Sequence, residues 1–200
     1  MKIQTFLEHH GIKTNPFAEE DAQTDPVFKD YCIASTYHPT WDKIYGNPAE
    51  PATSIVFGEK GSGKTAMRLQ IVRHLDAHNR QHSEQRLFVI EYDDFNPFLD
   101  RFRDRLGARR KPEKVLAEWK LWDHMDAILS LGVTALVDGI LEVKQPTVPL
   151  SGEAAQVDSR RLDRHQTRDL LLLAACYDQS SAETVIGRWR RLRRKVKFRT

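Results

Sequence analysis

One short segment constrains the fold of this 200-residue chain more than any other feature. The segment is glycine-rich and reads Gly58-Glu59-Lys60-Gly61-Ser62-Gly63-Lys64-Thr65. An apolar run at residues 54–57 stops directly before it, as a buried parallel strand does, and apolar residues four apart follow it, as on an amphipathic helix. Because a second apolar run follows at residues 87–90, the order predicts two parallel strands joined by a helical, right-handed crossover.

The same segment has the composition that a phosphate-binding loop requires, in the pattern GxxxxGK followed by Ser or Thr. Glycines at 58, 61 and 63 leave main-chain N–H groups accessible, so the loop can curl around an anion. A helix that begins near Gly63 directs its positive end at the same point. We expect Lys64 to reach the β and γ phosphates and the Thr65 hydroxyl to bind Mg²⁺. Residues 58–65 are therefore the predicted binding site of a nucleoside triphosphate.

Residues 53–92 resemble the P-loop NTPase superfamily through this loop and its neighbouring elements. Residues 15–17 (Asn-Pro-Phe), residues 35–38 and a short helix precede the first strand, and this lead-in is similar to that of AAA-type ATPases of the ExeA and TniB kind. The resemblance implies an α/β fold, in which helices flank a parallel sheet, and ATP with Mg²⁺ as the bound nucleotide. It also implies hydrolysis coupled to a conformational change in a partner or in a homo-oligomer.

The chain divides into three parts on this interpretation. Residues 1–52 form the lead-in, residues 53–150 form the nucleotide-binding core, and residues 151–200 form a helical extension with a basic tail. The second half is mostly helical, with an apolar stripe in steps of three and four from Trp122 to Val143. A complete P-loop core has about five strands and only two are clear, so we expect the chain to be the N-terminal part of a longer protein.

The acid that hydrolysis requires has two candidates at the end of the second predicted strand, Asp93 and Asp94. That edge is where ligands bind in α/β folds. In one interpretation Asp94 caps a helix that starts near Phe95. In the other, residues 93–95 resemble a segment of uridine kinase and related P-loop kinases, in which an aspartate is the base for the acceptor hydroxyl. This chain departs from that segment at Asn96, where those enzymes often carry tyrosine.

Three functions therefore stay open. The first is an ATPase, the second is a kinase in which Asp93 or Asp94 is the base, and the third is a nucleotide sensor without hydrolysis. The third is considered because the sequence shows no convincing further strand that ends in the acidic residue that hydrolysis requires. Asp138 follows the apolar residues 135–137 like the end of such a strand, yet it lies within the helical stripe. The candidate catalytic residues are Lys64, Asp93 and Asp94.

Charge is distributed unevenly along the chain. Residues 188–199 contain eight positive residues and no acids. Because the whole chain has a net charge of +3, residues 1–187 have a net charge of about −5. Trp189, Leu192 and Val196 fall on one helical side of this tail. Such a helix binds nucleic acid phosphates, lies on an anionic membrane surface, or pairs with acids elsewhere, and the sequence does not choose among these.

Cysteine usage and the absence of a long apolar run favour a cytoplasmic protein. The two cysteines, Cys32 and Cys176, lie far apart and have no CxxC spacing. The longest purely apolar run, residues 170–176, is too short to cross a bilayer. His74 and His78 lie four apart on the predicted loop helix, but no third metal ligand accompanies them.

Overall fold

The computed structural model describes residues 3–13, 15, 18–35, 37–107, 111–144, 159–180 and 184–198. These ranges form helices joined by turns and irregular segments. The α-helices, in chain order, are α1 (Ile3–His9), α2 (Trp41–Tyr45), α3 (Lys64–Gln81), α4 (Asn96–Leu106), α5 (Pro112–Glu118), α6 (Leu121–Leu141), α7 (Arg164–Tyr177) and α8 (Val185–Lys195). A π-helical turn spans Phe28–Cys32, and a 3₁₀ turn spans Ser159–Arg161. The chain groups into two compact units, residues 1–87 and 88–200.

The predicted α/β fold with a parallel sheet is wrong. Within the described ranges no residue forms a β-strand, so the fold there is all-α. Residues 54–57 have irregular backbone, and Ile55 and Phe57 are 74% and 90% exposed. A central parallel strand needs helices covering both of its faces, and this run has no such cover. The predicted three-part division stays a prediction, because residues 145–158, which span its second boundary, lie outside the described ranges.

In the first unit, the predicted amphipathic helix is confirmed as α3, which begins directly after the glycine-rich segment. Met67 and Gln70 are buried on its inner face. Near its end, buried Asn79 binds the returning chain twice. Its side chain donates to the Leu87 carbonyl at 2.9 Å and accepts from the Leu87 N–H at 2.7 Å. These two bonds satisfy the Leu87 N–H and carbonyl, which would pair with a neighbouring strand if residue 87 lay in a sheet.

In the second unit, α6, α7 and α8 pack against one another around a shared core. α6 is the helix that the apolar stripe predicts. The buried core residues from the three helices are Val133, Val137, Ile140, Leu170, Leu171, Ala174 and Leu192. The predicted apolar segment 170–175 lies in α7, but it is buried on one side, since Leu172 is 60% exposed. Core formation by three amphipathic helices explains why the C-terminal half of the chain has helical periodicity throughout.

Gly132 explains where the second predicted strand lies. A Cβ atom at this position of α6 would stand 2.6 Å from Cδ1 of Ile90 and 3.6 Å from Cε1 of Phe88. The glycine therefore lets residues 88–90 approach the helix backbone closely. The apolar run is not a sheet strand but an irregular segment that packs on α6.

Two N-terminal caps position the helices of this core. Asp163 and Gln166 form a reciprocal capping box at the start of α7, with bonds of 2.8 and 3.0 Å. Thr184 caps α8 by accepting the Gly187 N–H at 3.3 Å. The capping box that the sequence suggests at Ser180 involves Glu183, which lies outside the described residues.

Among the described helices, α6 is long and apolar enough to span a bilayer by length and composition. Half of its most apolar stretch is buried within the protein, and its last turns carry the buried Asp138. These features are those of a core helix packed against α7 and α8. The predicted cytoplasmic location stays a prediction.

Candidate functional site: the glycine-rich loop before α3

The loop of residues 58–63 is exposed and leads directly into the first turn of α3. Gly61 and Gly63 have φ of +85° and +84°, in the left-handed region that side chains with a Cβ rarely adopt. Ser62 between them has a negative φ. The Ser62 N–H donates to the Glu59 carbonyl at 3.2 Å, so the loop is a tight turn. An alternation of left-handed and right-handed residues is also the backbone pattern of anion-binding nests.

Lys64 closes this loop on itself. Its Nζ donates to the Gly58 carbonyl at 2.7 Å and to the Glu59 carbonyl at 2.8 Å, and it lies 3.4 Å from the Ser62 hydroxyl. Lys64 is the first residue of α3, and its side chain reaches back over the loop, so the ammonium is held inside the bend. An anion that entered the bend would meet this charge directly.

Gly58 and Ser62 bring the two ends of the loop into close approach. A Cβ atom on Gly58 would stand 2.3 Å from the Ser62 Oγ and 3.1 Å from its Cβ. A side chain at 58 therefore requires the Ser62 hydroxyl to rotate away and the Ser62 Cβ to move by a few tenths of an ångström. The spacing of glycines in the sequence thus has a separate physical reason at positions 58, 61 and 63.

Thr65 lies exposed in the first turn of α3, and that turn has no acidic residue. The positive end of the helix dipole is therefore not offset within its own first turn. Within the described part of the chain no cluster of three or more His, Cys, Asp or Glu residues could hold a metal ion. Binding of Mg²⁺ by the Thr65 hydroxyl stays a prediction.

The two predicted catalytic acids belong to the second unit, and both are exposed. Asp94 accepts hydrogen bonds from Asn96 through its main-chain N–H at 3.0 Å and its side-chain amide at 2.8 Å. α4 begins at Asn96 with Phe95 at the N-cap position and without a side-chain cap bond, so Asp94 lies one residue before the cap and closes a local turn onto Asn96. The catalytic role of Asp93 or Asp94 stays a prediction.

Asp138 is not the end of a strand. It lies in α6 and accepts a hydrogen bond from Arg188 Nη2 at 2.5 Å, while Arg188 Nε donates to Asp178 at 2.6 Å. The side chains of this triad are 2–3% exposed. Burial raises the pKa of Asp178, although the guanidinium opposes that shift. Burial works against the charge of Arg188, but its two carboxylate partners outweigh burial and raise its pKa.

Sequence reasoning missed this buried triad, which joins the end of α7 and the start of α8 to α6. Arg188 was expected to be part of the exposed basic tail. The one available signal was its position: it lies one helical turn before Leu192, on the apolar side of α8.

The aromatic residues before the loop pack on α3. The Tyr37 hydroxyl lies 2.8 Å from His74 Nε2, and the rings of Trp41 and Tyr45 stack with centroids 5.2 Å apart. Both of those rings also contact His74. Packing between aromatic residues therefore accounts for their positions. His78 stacks on His82 with ring centroids 4.2 Å apart.

Comparison of the chain with protein-family models, with curated proteins and with solved structures finds no match. The resemblance to P-loop NTPases therefore rests on the loop pattern itself, and functional inference rests on the geometry of this chain.

Proposed function

We propose that this chain binds ATP with Mg²⁺ through residues 58–65 and hydrolyses it. The observation that carries the proposal is the position of Lys64, whose ammonium is held inside a bend with two left-handed glycines at a helix start. This local geometry needs only the loop and α3. The proposal therefore does not depend on a parallel sheet.

Binding would exchange the internal bonds of the loop for bonds to phosphate. The Lys64 ammonium would leave the carbonyls of Gly58 and Glu59 for the β and γ phosphate oxygens, while loop N–H groups donate to the same anion. The exposed Thr65 hydroxyl would take one position on the magnesium ion. Each bond to phosphate is charge-assisted, so the exchange favours the bound state.

Hydrolysis would use the same lysine to stabilise negative charge that develops on the transferred phosphoryl group. Asp93 and Asp94 are both candidates for the base, and substitution of each by asparagine tests them separately. Coupling of hydrolysis to a conformational change in a partner or homo-oligomer in the cytoplasm is part of the proposal.

The test compares a lysine of the loop with a lysine outside it, in the full chain. Lys64→Ala removes the ammonium held in the bend, and Lys43→Ala removes the same charge from an exposed position of α2 in the same unit. We expect Lys64→Ala to weaken Mg-ATP binding by about 10-fold or more, since hydrogen bonds to charged groups contribute about 1.5–3 kcal/mol. Lys43→Ala should bind within about threefold of wild type. Equal affinities of the two variants would refute the site.

Phosphate release without an acceptor separates hydrolysis from binding. Release that Asp93→Asn or Asp94→Asn slows by about 100-fold or more supports an ATPase with that base. Tight ATP binding without any release of phosphate would support the binding site and refute hydrolysis. Phosphorylation of an added hydroxyl acceptor would replace the ATPase by a kinase.

A further inference from the structure

Among the cations of the basic helix α8 and of the turn after it, two sets differ in their surroundings. Members of the first set form ion pairs with acids. Arg188 is enclosed by its two buried carboxylate partners, and Lys195 pairs with Glu142 at 2.9 Å on the surface. These two cations stabilise the packing of α8 and are not part of an exposed basic surface.

The second set lines a groove. Its four cations lie at steps of three, one and three residues, which places them on one helical face, and Phe198 completes the lining. The groove has a volume of about 840 Å³ and is lined by Arg190, Arg193, Arg194, Lys197 and Phe198. We call these five residues the basic groove. None of them is acidic, so charge of one sign is concentrated there.

The end of α8 folds Phe198 into this groove. Lys197 adopts a left-handed conformation with φ of +53°. The Lys197 N–H donates to the Arg194 carbonyl and the Phe198 N–H donates to the Arg193 carbonyl, both at 3.2 Å. This is a Schellman turn with a lysine in place of the usual glycine. It turns the chain back, so that Phe198 packs, partly buried, against the helical core and also lines the groove beside the cations.

The apolar face of α8 is covered. Leu192 is fully buried in the core, and Trp189 and Val196 pack against it. The Trp189 indole N–H also donates to the Leu171 carbonyl at 3.0 Å. A helix that lies on a membrane inserts its apolar face among the lipids. In α8 that face is buried inside the protein, so it is not available to lipids. The observations therefore favour a polar, anionic partner over a bilayer.

We propose that the basic groove binds single-stranded nucleic acid, with its cations on successive phosphates and Phe198 against a base. Proteins that bind single strands combine a positive groove with aromatic rings on which bases stack. From Arg190 to Lys197 the helix rises about 10 Å, which is room for a few phosphates. The site is distinct from the glycine-rich loop and does not depend on nucleotide binding there.

The experiment measures anisotropy of fluorescein-labelled dT20 and rU20 with the full chain between 50 and 200 mM salt. With three or four phosphates neutralised, the logarithm of the association constant should fall against the logarithm of salt with a slope of about −2 to −3. Arg190→Gln and Arg194→Gln should each weaken binding and reduce the slope by about 0.7. Comparison of the two oligonucleotides distinguishes DNA from RNA as the natural strand.

Two further variants make the test specific. Lys195→Gln is the matched control, because it removes one charge from the same helix outside the groove, and affinity should change less than about twofold. Phe198→Leu keeps an apolar side chain but no stacking face, and should weaken binding about fivefold or more without changing the slope. Far-UV circular dichroism checks that each variant folds.

Three results would overturn the proposal. The first is no binding of either oligonucleotide at 50 mM salt. The second is an equal effect of Lys195→Gln and Arg194→Gln, which would indicate general charge attraction. The third is binding to vesicles with anionic phospholipid, lost in the groove variants, while the oligonucleotides do not bind.

Discussion

Substitution of Arg188 by methionine should destabilise the second unit more than any surface change in the same helix. Arg188→Met keeps a long side chain but leaves Asp138 and Asp178 facing each other without their cation. It also removes the bond from Arg188 Nη2 to the Thr134 carbonyl. Because the triad is 2–3% exposed, water does not replace these contacts. Removal of one partner of a buried ion pair costs about 3–5 kcal/mol of unfolding free energy.

The matched control is Arg190→Met, two residues along the same helix. Arg190 is exposed, so its removal should change the unfolding free energy by less than about 0.5 kcal/mol. A second comparison combines Arg188→Met with Asp138→Leu and Asp178→Asn. Replacement of a whole buried ionic group by neutral side chains is often neutral, so the triple variant should recover most of the lost stability.

Urea unfolding followed by tryptophan fluorescence measures these differences. The two units can unfold separately, so the signal must come from one of them. In a Trp41→Phe background the three remaining tryptophans all belong to residues 88–200, and fluorescence then reports the second unit. Equal midpoints for Arg188→Met and Arg190→Met would show that the triad does not stabilise the core and would refute the reasoning.

Three further predictions follow from other contacts. Burial raises the pKa of Asp178 above 3.8, so the folded state holds this proton to higher pH than the unfolded state does. The wild type should therefore lose stability relative to Asp178→Asn as pH rises from about 4, until the raised pKa is passed, in urea titrations at each pH. Gly63→Ala should cost about 1–2 kcal/mol in thermal unfolding of the first unit, because φ there is +84°. Asp163→Ala should cost about 1 kcal/mol through loss of the α7 cap, whereas exposed Asp169→Ala should cost less than about 0.5 kcal/mol in the same urea assay.

Helices with a long periodic stripe could be predicted from the sequence. α3, α6 and the basic helix α8 follow apolar residues in steps of three and four, and such a pattern fits one secondary structure. The strands could not be predicted in the same way. Short apolar runs, as at 54–57 and 87–90, fit a buried strand or a packed irregular segment equally well. Only tertiary contacts, such as Ile90 against Gly132, decide between the two.

The candidate loop could be anticipated because its contacts are local. Lys64 bonds to carbonyls five and six residues earlier, and the glycine positions follow from backbone conformation alone. The buried triad could not, since Arg188 meets an acid fifty residues away in α6. A run of arginines in a sequence predicts a solvated basic surface, and the one local sign of burial is that Arg188 lies one helical turn before Leu192, on the apolar side of α8.

Backbone amide chemical shifts test the central claim most directly. In a ¹⁵N-labelled chain titrated with Mg-ATP, the amides of Gly61, Gly63 and Lys64 should show the largest and saturable shifts, because the loop N–H groups are the proposed phosphate donors. In the Lys64→Ala variant, the same concentration of Mg-ATP should shift these amide signals far less. Saturable shifts confined to other residues, with residues 58–65 unmoved, would contradict the account.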